Sequence, residues 1–207
     1  MFIYKRLFKA RQQNLWASCD FSKLQFQAII KVLLLGLAYN CFFTVFAQIT
    51  LLNRLFPDHH QIVSRLLGGN FWFALLIVGM MAPSFEEILF RGIVFNELRK
   101  IISLPLAIIF QGLVFGLYHM NALQSIYGMV LGILAALVYI WVKSLWGPIL
   151  MHISFNSLSI MMSRVNVVPT DKYRFILLII SGLIMGYGIY GLWKDRIQPP
   201  SNSEATH

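Results

Sequence analysis

The sequence predicts an all-α protein, a polytopic bundle of about six transmembrane helices, and three observations carry that prediction. Of 207 residues, 58% are hydrophobic and only 12% are charged, about half the charge of an ordinary soluble domain. Mean hydropathy is +0.69. The apolar residues come in unbroken runs of membrane-crossing length without period-two alternation, which argues against a transmembrane β-barrel. At about 20 residues per span, six helices and short links use up the chain and leave no room for a soluble domain. Disorder and a nucleic-acid module are excluded by the same composition. The net charge of +9 reads instead as loop charge facing anionic lipid. Cys19 and Cys41 are too few for a disulfide scaffold, and Cys41 lies inside an apolar run, so both read as apolar filler.

Residues 1–25 form a basic arm. Lys5, Arg6, Lys9, Arg11 and Lys23 alternate with Phe2, Phe8, Leu15 and Trp16, a composition suited to lying along a membrane surface. The apolar run that follows starts near Ile29 and passes Val45, too far from the charges for a cleavable signal, so it reads as a retained helix. Span-sized windows then place helices at 27–52, 70–99, 104–120, 123–143, 147–163 and 174–193. Residues 26–196 thus form one transmembrane unit, and 197–207 read as a polar, disordered tail.

Six spans put both termini on one side. Lys5, Arg6, Lys9, Arg11, Lys23, Arg99, Lys100, Lys143, Lys194 and Arg196 fall there, against Arg54, Arg65, Arg164, Lys172 and Arg174 opposite. The positive-inside rule assigns both termini to the cytoplasm. Glycines recur four apart at Gly112 and Gly116, Gly128 and Gly132, and Gly182 and Gly186, a spacing that lets helix backbones approach closely.

The second span holds residues foreign to lipid. Glu86, Glu87 and Arg91 each cost about 2.5 to 3.5 kcal/mol at a span centre, so the sum approaches roughly 8 to 10 kcal/mol before pairing. Residues four apart share a helix face, so Glu87 and Arg91 can pair. Glu86 points about 100° away and has no partner in its own helix. The third span ends in His119, and the fifth opens with His152 and Asn156, again four apart. Hydrogen bonding between helices explains one such polar residue well, and four in three helices poorly. Intramembrane ionisable groups point to function.

A carboxylate and imidazoles screened from solvent can hold and deprotonate a water. Glu86, His119 and His152 are equally a ligand set for catalytic zinc. Either route ends in water attacking a carbonyl, with His152 or Asn156 able to donate to the oxyanion. The chemistry implied is peptide hydrolysis in the membrane. Other protease signatures are absent. There is no His-Glu-x-x-His and no Gly-x-Ser-x-Gly, and Asp20, Asp58, Asp171 and Asp195 all lie outside the spans. Ser154 is two residues from His152, which turns the side chains apart on a helix.

Glu86-Glu87-Ile-Leu-Phe-Arg91, Phe115-Gly-Leu-Tyr-His119 and His152-Ile-Ser-Phe-Asn156 together resemble the three motifs of the CAAX protease and bacteriocin-processing family of membrane proteases. That family includes the type II CAAX prenyl endopeptidase and the bacterial Abi proteins, and the likeness covers residues 83–156. It implies a helical membrane core with a site open to the cytoplasm. By resemblance, Glu86 and His119 activate the water, His152 and Asn156 form the oxyanion pocket, and Glu87 and Arg91 hold the site together. The family is commonly called a metalloprotease, and a metal-free, glutamate-activated water is the competing account.

The implied role is an endopeptidase acting on a peptide or small protein in a bacterial plasma membrane, in bacteriocin processing or self-immunity. The rival is a non-enzymatic membrane protein, either an immunity protein that acts by binding or a small proton-coupled transporter. Transporters show repeated halves, whereas these motifs occupy the second, third and fifth spans without a matching set. One demand follows from the helix lengths. His119 lies deep in its span and His152 only a few residues into its own, so either Trp146-Gly147-Pro148 sinks beneath covering protein or the third helix tilts steeply. His59 and His60 are adjacent and diverge, so they read as loop residues. Trp141, Trp146 and Trp193 sit near span ends, where indoles favour the interface.

Overall fold

In the computed structural model, residues 19–50, 52–56, 69–165 and 171–197 are described. The arm up to residue 18, Asp58, His59, His60, Arg65 and the tail beyond 197 lie outside them. The described residues are helical, with no strand among them. Six main helices appear: α1 (Phe26–Ile49), α2 (Phe71–Ile101), α3 (Leu104–Tyr118), α4 (Ala122–Val142), α5 (Trp146–Val165) and α6 (Asp171–Lys194). A single turn, Leu52–Leu55, follows α1. By length and apolarity α1, α2, α4 and α6 suffice to cross a membrane, whereas α3 is shorter. The chain is an integral membrane protein.

Local chemistry sets the boundaries. Asn70 opens α2 by accepting the N–H groups of Trp72 and Phe73 at 2.9 and 3.2 Å, and Asn121 opens α4 through Gln124 N at 3.0 Å. Pro105 sits in the first turn of α3, where its missing N–H costs nothing. Pro83, by contrast, lies inside α2. The helix widens to a π-helical stretch at Leu75–Met81 immediately before it, a local adjustment that accommodates the absent donor. A second π-helical stretch, Ile88–Phe95, follows Glu87. Lys143 ends α4 with φ 45° in the left-handed region.

The glycine pairs show why α3 and α4 lie against each other. A Cβ on Gly132 would come 2.9 Å from the Gly112 Cα, and one on Gly116 would come 2.4 Å from the Ser125 carbonyl oxygen. Small residues therefore let the two backbones touch, as their spacing suggested. Gly182 and Gly186 differ. The first has only the Phe42 ring at 3.6 Å and the second nothing within 4 Å, whereas Gly188 and Gly191 face Leu35 and Lys31 of α1. α6 packs along α1 and remains largely exposed.

The core lies where α1, α4 and α5 meet, at Leu35, Tyr39, Leu131, Ala135, Val138, Met151 and Phe155, with Phe90 and Phe115 added from α2 and α3. At one end, Cys19–Ser22 folds over the turn between α4 and α5. Asp20 O accepts Leu145 N at 2.9 Å. Ser22 Oγ donates to Lys143 O at 2.6 Å, and Ser144 Oγ donates to Ser22 O at 2.6 Å. Ser144 and Leu145 are fully buried, so the start of α5 lies beneath covering protein. Trp146 stays half-exposed, edge-on to Phe21.

Candidate active site

Glu86 lies midway along α2, and His119 directly follows α3. Each is about 22 Å from the α2–α3 turn at 1.5 Å per residue, so an antiparallel pair brings them to one depth. His152 enters from α5, six residues after its start at Trp146.

Glu87 and Arg91 are wholly buried, and Arg91 Nη1 donates to Glu87 Oε1 at 3.0 Å. This is the intrahelical pair that the spacing predicted. The same carboxylate oxygen takes a second hydrogen bond, from His152 Nδ1 at 2.8 Å. Because a carboxylate only accepts, the His152 proton sits on Nδ1, and Nε2 is left facing Glu86 Oε2 at 3.9 Å. The Glu86 side chain is 18% exposed. His119 Nδ1 donates to Phe115 O at 3.0 Å, and among the described residues its Nε2 makes no hydrogen bond. The Phe115 ring stands edge-on to His119 and His152, at 5.1 and 5.7 Å between centroids. The Arg91 guanidinium lies over it at 4.5 Å, a cation–π contact strengthened by burial.

Asn156, one turn beyond His152, turns its amide to α2, where Nδ2 donates to Val78 O at 3.0 Å. The acceptor lies in the π-helical stretch before Pro83. Glu86, His119 and His152 are therefore gathered, with Glu87 and Arg91 behind them, while Asn156 ties α5 to α2. Ser154 faces away, its hydroxyl donating to Met151 O at 2.8 Å and Leu33 O at 3.2 Å.

Buried amides escaped the sequence reading, Asn40 and Gln111 among them. Asn40 of α1 donates from Nδ2 to Phe155 O at 3.1 Å and to Ser159 Oγ at 2.6 Å, which fixes α5. Gln111 of α3 donates to Gly132 O at 2.8 Å. The available signal was position: Gln111 is the lone amide of an apolar helix, four and eight residues before Phe115 and His119.

Among the described residues, no three His, Cys, Asp or Glu side chains are spaced to hold one metal ion. Each imidazole has its Nδ1 anchored, as zinc-binding histidines do, and Glu86 stands beside His152. Glu86, His119 and His152, though neighbours, do not converge on one ion position in this arrangement.

Residues 68–158 match the family model described as type II CAAX prenyl endopeptidase, Rce1-like. This segment is therefore similar to the CAAX protease family. Two curated relatives agree with it. The chain is 26% identical over 88 residues to the putative membrane peptidase YdiL of Bacillus subtilis, covering 42% of this chain and 36% of that protein. It is 28% identical over 100 residues to the membrane-embedded CAAX protease MroQ of Staphylococcus aureus, covering 44% of this chain and 40% of the relative. The chain thus matches about two fifths of the length of these relatives. No solved structure gives a significant match. The family segment contains all six site residues, from Glu86 to Asn156.

Proposed function

We propose that this CAAX-protease-type site hydrolyses a peptide bond in the membrane with a water activated by Glu86. The carrying observation is the division of work between adjacent carboxylates. Glu87 is committed to Arg91 and His152 Nδ1, whereas Glu86 stands open beside His152 Nε2. A single water fits between two atoms 3.9 Å apart at ordinary hydrogen-bond distances of about 2.8 Å.

In this mechanism Glu86 takes one proton from the water as its oxygen bonds to the scissile carbonyl carbon, the His152 Nε2 lone pair accepts the other hydrogen and orients the water, and His119 lines the same space. The oxyanion faces the second N–H of the Asn156 amide, the first being spent on Val78. Glu86 then returns its proton to the leaving nitrogen as the C–N bond breaks. No step passes through a metal. Elemental analysis of purified protein tests that part: stoichiometric zinc would overturn it.

The substrate in this reading is a peptide or small protein that reaches the bilayer, and the setting is bacteriocin processing or self-immunity in a bacterial plasma membrane. Both named relatives come from bacteria. By the positive-inside rule we read the side carrying Lys23, Arg99, Lys100, Lys143, Lys194 and Arg196 as the cytoplasmic one. The test is a comparison of membrane peptides from cells expressing the wild type or Glu86→Gln. A peptide product found only with the wild type supports proteolysis. Identical profiles with a preserved phenotype favour the binding or transport reading.

A further inference from the structure

Beyond the three motifs, one carbonyl joins three helices. Gly132 O, on α4, accepts Gln111 Nε2 from α3 at 2.8 Å and Arg91 Nη2 from α2 at 3.0 Å. Glycine makes this possible, since a Cβ at Gly132 would lie 2.9 Å from the Gly112 Cα, and only such close packing lets side chains reach a carbonyl inside another helix. Arg91 is planar and bound at both ends, with Nη2 on Gly132 and Nη1 on Glu87 Oε1, the oxygen that holds His152 Nδ1. A rotation of the guanidinium at one end is felt at the other.

We propose that Gln111 is a positioning residue for the reaction: by holding the Gly132 carbonyl it sets Arg91, and through Arg91 and Glu87 it sets the His152 ring. The proposal rests on the proteolytic reading above. Gln111 is fully buried, and its amide group is anchored twice, to Gly132 O and to Ile108 O at 3.1 Å. It also lies on the stripe formed with Phe115 and His119, so the helix that presents one imidazole steadies the arginine behind the other. Its Oε1 is buried without a hydrogen-bond partner. An apolar side chain of equal length therefore removes an unsatisfied acceptor along with the two donors, and the fold should tolerate it.

The test is a double-mutant cycle on purified protein in liposomes. The probe is a quenched fluorescent peptide built on the cleavage sequence that the membrane-peptide comparison returns. Gln111→Met should lower kcat about ten- to a hundredfold, as small misplacements of a reacting group do, with KM and melting temperature nearly unchanged. Arg91→Lys should also lower kcat, and the double variant should fall no further than Arg91→Lys alone, because both act through one group. Full kcat in Gln111→Met, losses that multiply in the double variant, or a Gln111→Met protein that fails to accumulate would each overturn the proposal in favour of a packing role. A wild type that cleaves nothing, and is matched by Glu86→Gln, would instead remove the proteolytic reading and this proposal with it.

Discussion

Glu87 holds His152 through a 2.8 Å hydrogen bond to Nδ1, while its neighbour Glu86 faces Nε2 of the same ring at 3.9 Å. Two consecutive carboxylates thus bracket one imidazole from opposite nitrogens. One is sealed inside the bundle and paired, and the other is partly open.

That difference predicts opposite responses to the same substitution. Glu87→Gln removes the charge that offsets Arg91 and leaves a guanidinium buried without its counter-ion, a loss of about 3 to 5 kcal/mol. Folded protein in membranes and its melting temperature should both drop. Glu86→Gln removes no hydrogen bond to the protein, so its melting temperature should stay within a few degrees of the wild type. Equal destabilisation by the two changes would contradict the division of roles.

The α3–α4 contact predicts a sharp contrast among glycines. Gly116→Ala places a methyl group 2.4 Å from Ser125 O and 2.9 Å from Met129 N, backbone atoms that cannot move aside. It should separate the helices and deplete folded protein. Gly186→Ala meets nothing within 4 Å, and in a helix interior it should be neutral or stabilising by up to about 1 kcal/mol. Thermal melting of the two variants side by side checks the packing.

Asn156 ties α5 to the π-helical stretch of α2 through Val78. Asn156→Ala should lose about 1 kcal/mol of stability and lower kcat by more than that loss of folded protein explains. Asn156→Asp keeps the size and loses the donor when ionised, so it should resemble Ala in kcat. An Asp variant with wild-type kcat would show that the amide donor is unnecessary.

Much of this arrangement was readable from residue order alone. The helices fall close to the predicted spans because each is an unbroken apolar run bounded by Asn, Pro or a short polar link. The Glu87–Arg91 pair follows from four-residue spacing, and the shared depth of Glu86 and His119 from counting along two antiparallel helices. What could not be read depends on contacts between distant segments. Glu87 as the acceptor for His152 required knowing which side of α2 faces α5. The amide of Asn156 turned towards Val78 because α2 widens ahead of Pro83, and hydrophobic periodicity carries no trace of a π-helical turn. Gln111 carried no weight as a single amide until Gly132 showed what it reaches.

Outside the spans, Asp195 caps the end of α6 by accepting a hydrogen bond from Lys31 of α1. That bond holds the Asp195 carboxyl below the ordinary carboxylate range. The sign follows: its contribution is present above that range and is lost as pH falls through the lowered value. The melting temperatures of the wild type and Asp195→Asn should converge on acidification, with a small gap at neutral pH that salt narrows further. A gap that widens in acid would contradict the pairing.

The central claim is that Glu86 is the base that activates water. Its most direct measurement is single-turnover cleavage by purified wild type and Glu86→Gln in liposomes, at equal amounts of folded protein. The account predicts a loss of about a hundredfold to ten-thousandfold, the usual weight of a general base, with substrate binding retained. A Glu86→Gln protein that cleaves within twofold of the wild type would contradict it.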